Sequence, residues 1–76
     1  MIVKRKSNCY RVLSENEKDR EAMIKFTEWA LQNDIEVDFI DDNIRSAVKF
    51  FVSGKAYDAY LEGEELLDKL FSFIEK

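Results

Sequence analysis

The sequence predicts a small α+β domain in which two helices pack on a small mixed β-sheet, with the elements in the order β(β)αβββα. Three observations lead there. Apolar residues recur at helical spacing in two stretches, one in the first half and one at the end of the chain. Residues 35–39 (Ile-Glu-Val-Asp-Phe) alternate apolar and acidic, as a half-buried strand does. A chain of 76 residues holds one hydrophobic core, so these elements belong to a single domain, residues 1–76.

Each element has its own signal. Ile2–Lys6 is short and β-leaning, and Ser7-Asn8 after it is a turn signal. Cys9–Leu13 reads either as the second arm of a hairpin or as a loop leading into the first helix. Ser14 and Glu17 have the spacing of a capping box, so the first helix is expected from there to about Asn33. Ala22, Phe26, Trp29 and Ala30 mark its buried face, with Met23 at the margin. Ile24 and Leu31 fall on the opposite face. Asp41-Asp42-Asn43 is a turn signal, and residues 48–52 are a strongly apolar strand. Ser53-Gly54-Lys55 is expected to turn the chain, with residues 56–61 returning as a second arm. Glu62-Gly63-Glu64-Glu65 would then open the last helix, whose apolar arc of Leu66, Leu67, Leu70, Phe71, Phe73 and Ile74 must lie flat on the sheet.

Composition removes several classes of chemistry. There is no histidine, so the usual general base and the commonest metal ligand are both missing. One cysteine, Cys9, makes neither an internal disulfide nor a zinc site. Two glycines cannot build a phosphate-cradling loop. Asp38, Asp41 and Asp42 are close in sequence, but such acids are ordinary turn formers. No cofactor, metal or catalytic site is expected, and the domain is read as non-enzymatic. The start turns basic before any apolar stretch develops, and no apolar run has the length of a membrane span. The expected home is the cytoplasm, with no membrane contact. The richness in Lys, Ile, Asn, Phe and Tyr fits a low-GC genome, that of a bacterium or its phage.

Charge is mild in sum and uneven in layout. The net charge is −4, yet residues 1–13 carry Lys4, Arg5, Lys6 and Arg11 and no acid. Such segregation marks a docking edge, or else a guard against edge-to-edge aggregation. The expected partner is another protein, met by Lys4, Arg5, Lys6 and Arg11, or by a stripe of Ile24 and Leu31. The chain would act as an adaptor, inhibitor or regulator, and a homodimer is left open. A nucleic-acid contact through Tyr57, Tyr60 and Lys55 is disfavoured by the acidic residues around them. Cys9 is the one candidate for a reactive thiol, with Lys6 and Arg11 near in sequence.

Residues 44–71 resemble the C-terminal half of thioredoxin-fold proteins, glutaredoxins included. In that family an Arg-Ser-aliphatic-Pro run enters a strand, a Gly-Lys turn and a return strand follow, and the final helix begins near Glu-Glu-Leu. Here the corresponding residues are Arg45-Ser46-Ala47-Val48, Gly54-Lys55 and Glu64-Glu65-Leu66. Ile2–Lys6, Asn8-Cys9, the long helix and residues 35–40 resemble the family's first half. The resemblance implies that Cys9 stands where the nucleophilic cysteine stands, and Val48 where the cis-proline stands. No second cysteine follows Cys9, the chain has no proline, and the segment between Ile40 and Val48 is too short for the family's middle helix. The resemblance therefore implies a shortened thioredoxin-like fold, with the dithiol chemistry lost and a monothiol role for Cys9 as the alternative to protein binding.

Overall fold

The computed structural model describes residues 1–42, 44–53 and 56–74, with the backbone alone for residues 56–60. The elements are β1 (Ile2–Lys6), β2 (Cys9–Leu13), α1 (Glu17–Gln32), β3 (Val37–Asp41), β4 (Ser46–Phe51) and α2 (Ala56–Ser72). The four strands form one sheet in the order β1-β2-β4-β3. The class is α+β, with both helices on the sheet, as the sequence predicts. Every pairing is antiparallel, so the sheet is not mixed.

The Cys9–Leu13 segment is a central strand, not a loop. Its register with β1 puts Lys6 opposite Cys9, which leaves Ser7 and Asn8 as a two-residue hairpin turn. Ser7 takes the left-handed conformation such a turn requires, at φ 53°. Alternation then sorts the side chains. Val3, Val12, Val48 and Phe39 form one cross-strand row on the covered face, with Tyr10, Phe50 and Val37 in the next. Val12, Val48, Phe50 and Tyr10 are buried there against Ala22, Met23 and Phe26 of α1 and Leu66, Leu67 and Leu70 of α2.

The expected capping box at Ser14 and Glu17 is not the one that forms. Asn16 is the N-cap: its side-chain oxygen accepts from the Asp19 N–H at 2.9 Å, and the Asp19 carboxylate accepts from the Glu15 N–H at 2.8 Å. Ser14 serves the sheet instead. Its N–H donates to the Ser46 carbonyl at 2.9 Å, and its hydroxyl accepts from the Ser46 N–H at 2.9 Å. The far end of α1 closes as a Schellman motif, with Ile35 N–H on the Ala30 carbonyl and Asp34 in the left-handed region at φ 57°.

The largest departure is at residues 56–61, expected as a strand and found as the first turns of α2. Glu62-Gly63-Glu64-Glu65 therefore lies inside the helix rather than at its start. Gly63 costs a helix interior about 1 kcal/mol relative to alanine, and its presence there has a packing reason. A Cβ at this position would overlap the Tyr10 ring and its hydroxyl. The ring lies against the helix backbone on one side and stacks on Phe50 on the other, at 5.3 Å and 7°.

Gly63→Ala, favourable by helix propensity, should instead destabilise by roughly 1–3 kcal/mol through overpacking. The loss should shrink when Tyr10 is also replaced by Leu. Urea melts of the single and double variants measure both, and a Gly63→Ala protein as stable as the parent would show that the ring does not sit on the helix. Leu70 is fully buried, and Leu70→Ala should cost ~2–5 kcal/mol from lost burial and the cavity left behind.

Candidate functional site

With both helices on one side, no described element covers the other face of the sheet. It presents three cross-strand rows. Ile2, Leu13, Ala47 and Ile40 form an apolar row. Lys4, Arg11, Lys49 and Asp38 form a charged row beside it. Lys6, Cys9 and Phe51 form the third. Ile40 and Phe51 are 56% and 61% exposed, so apolar surface reaches solvent at two corners of the face. A shallow depression of about 430 Å³ lies where the first two rows meet, lined by Arg11, Leu13, Ile40, Ala47 and Lys49 together with Asp42 and Arg45.

The charged row is electrostatically unfavourable as it stands. Lys4 lies directly opposite Arg11, and Arg11 directly opposite Lys49. Like charges in that relation destabilise a sheet. Compensation within the row comes from Asp38, whose carboxylate is 4.0 Å from the Lys49 ammonium. Lys49 also lies over the Phe51 ring at 5.7 Å, a cation–π contact that fixes an aromatic beside the cations.

Of the residues singled out in the sequence, Lys4, Lys6, Arg11 and Cys9 come together on this face. Arg5 does not. It alternates to the covered side, where its guanidinium pairs with Glu64 of α2 at 2.8 Å and lies over the Tyr10 ring at 5.9 Å. Ile24 is partly buried and Leu31 is 79% exposed, both on α1, away from the basic row. Sequence reading missed Lys49, because its position beside Arg11 depends on the pairing of β2 with β4. Tyr57, Tyr60 and Lys55 lie outside the described side chains.

The three aspartates near β3 do not converge. Asp38 belongs to the uncovered face. Asp42 accepts from the Arg45 and Ile44 N–H groups at 2.7 and 2.8 Å, which lowers its pKa. Asp41 is gripped by Arg20 of α1, at 2.7 Å to Nη2 and 3.0 Å to Nε, and accepts from the Ser46 hydroxyl at 2.7 Å. Those donors hold its carboxyl at about 2, Arg20 contributing most. Among the described residues no group of three or more acids or thiols is placed to hold a metal, and no helix is long and apolar enough to cross a membrane.

Comparison of the chain with protein-family models, with curated proteins and with solved structures finds no match.

The Asp41 clamp predicts a pH dependence with a definite sign. Its folded pKa lies below that of the unfolded chain, so its contribution to stability is complete above pH ~4 and is lost as the pH falls toward 2. Carboxyl NMR should show Asp41 titrating near 2 in the native protein, and moving up toward the ordinary aspartate range in Arg20→Gln. A native midpoint already in the ordinary range would show that α1 and β3 are not clamped here.

Proposed function

We propose that this domain is a non-enzymatic binding protein, an adaptor, inhibitor or regulator that takes an acidic protein partner on the uncovered face of its sheet. The observation that carries this reading is the run of like charges Lys4, Arg11 and Lys49 beside the apolar row of Ile2, Leu13, Ala47 and Ile40. Cations held opposite one another cost stability without a counter-charge. A partner's carboxylates, laid along the row, would relieve that repulsion, while its apolar side chains would cover the neighbouring row. An edge-guarding role reaches no further than Lys4 and Lys6, the lysines on the outer strand β1. It does not account for Arg11 and Lys49, which stand on the two central strands.

A protein suits this face better than a nucleic acid does. Phe51 is the aromatic residue on these three rows, whereas single-stranded binding usually rests on several stacking platforms. The apolar row asks for apolar cover, which a phosphate backbone does not supply.

The test is affinity capture from the source cell with the native domain and three variants. Partner recovery should fall at high salt and be lost in a protein carrying Arg11→Glu and Lys49→Glu. It should survive Leu31→Glu and Cys9→Ser. Salt-insensitive capture lost in Leu31→Glu would move the site to α1. Loss in Cys9→Ser with capture unaffected by charge reversal would favour a monothiol role. Recovery abolished by nuclease would turn the reading to nucleic acid.

A further inference from the structure

The sheet has two outer strands, β1 and β3, and their charges are opposite. Lys4 and Lys6 stand on β1, while Asp38 stands on β3 and Glu36 one residue before it. Backbone phase makes the two edges complementary as well. Antiparallel ladders alternate between pairs that exchange hydrogen bonds and pairs that do not. Ser14 N–H donates to the Ser46 carbonyl, and Val52 N–H to the Asn8 carbonyl at 2.8 Å. In that phase Val12·Val48 and Tyr10·Phe50 are the bonded pairs of β2 with β4. Arg11 then turns its backbone groups toward Lys4 of β1, which leaves those of Val3 facing outward. Lys49 likewise turns toward Asp38 of β3, leaving those of Val37 and Phe39 facing outward. The Asp42 N–H to Arg45 carbonyl bond keeps the same phase.

We infer that β1 of one copy of this chain pairs with β3 of a second copy, antiparallel, with Val3 opposite Phe39. In this register the outward backbone groups of both residues meet as a bonded pair. Lys4 falls opposite Asp38, Lys6 opposite Glu36 and Ile2 opposite Ile40, all on the uncovered face. Lys4·Asp38 and Ile2·Ile40 are then non-bonded pairs, the kind that bring side chains closest. The strand order and pairings run β1 opposite in direction to β3, so the added copy keeps its helices on the same side. The apolar row continues as Ile40 to Ile2 across the junction, and the charged row as Asp38 to Lys4. The contact is heterologous: each added copy again exposes one β1 and one β3, so growth leads to rings or short filaments. It uses the edges of the sheet rather than its face and does not rest on the function proposed above.

Sedimentation of the whole chain over a concentration series tests it. The average mass should rise above 9.0 kDa with concentration and return toward it at high salt. Lys4→Asp alone and Asp38→Lys alone should each hold the mass near that of the monomer. The double variant, in which the charges are exchanged, should associate again. Amide exchange supplies a readout independent of the variants: the Val3 and Phe39 amides should slow as concentration rises. A native chain that stays monomeric at every concentration it tolerates overturns the inference. So does association that survives both single exchanges, or that is lost on Arg11→Glu with the edge amides still exchanging fast.

Discussion

The fold depends on the contact between the Tyr10 ring and the backbone of α2 at Gly63. Tyr10 lies flat on Phe50, Phe50 meets Phe26 at 6.1 Å, and Phe26 meets Trp29 at 5.8 Å. A chain of rings thus runs from β2 through β4 into α1. Through Tyr10 and Gly63 it extends to the second helix. A side chain at position 63 would hold α2 away from the sheet, and Leu66, Leu67 and Leu70 would lose part of their burial. The helix-propensity cost of one glycine is set against the docking of a whole apolar arc, and at ~25 cal/mol per Å² of buried apolar area the arc prevails.

That docking decides which side of the sheet is left open. Two helices in a chain of this length cover one face, and the other must meet solvent or a partner. A face meant only for solvent would mix its charges, since opposite-charge pairs across strands stabilise and like-charge pairs destabilise. This face does the reverse at Lys4, Arg11 and Lys49, and sets an apolar row alongside. The arrangement weakens the isolated domain slightly and suits a counter-charged surface, which is why the functional reading rests on the sheet rather than on the exposed Leu31 of α1.

Local patterns made much of this legible in the sequence. The alternation in residues 35–39 and the apolar run at 48–52 correspond to β3 and β4, and the buried stripe of α1 came from spacing alone. The failures share a cause in long-range contact. Ser14 has the chemistry of a helix cap, but Ser46 takes up its groups, so the cap passes to Asn16. Residues 56–61 read as a strand because Gly63 and the acids around it imitate a helix start. Nothing local reveals that this glycine answers to Tyr10. The basic cluster was visible as composition, and alternation within β1 already separates Arg5 from Lys4 and Lys6. Lys49 could join the row only once the order β2-β4 was known.

The two contacts inferred for the sheet are coupled through Lys4. This residue ends the charged row on the uncovered face and also lies on the β1 edge. A second copy that places Asp38 beside it neutralises one end of the row that an acidic partner would use. The same junction lengthens the apolar row by joining Ile40 to Ile2. Self-association of this kind would therefore lower the electrostatic attraction for the proposed partner and enlarge the apolar surface offered to it. By linkage the partner acts back on self-association with the same sign and size. A partner rich in acid and poor in apolar residues favours the single chain, whereas one that relies on apolar cover favours the extended sheet.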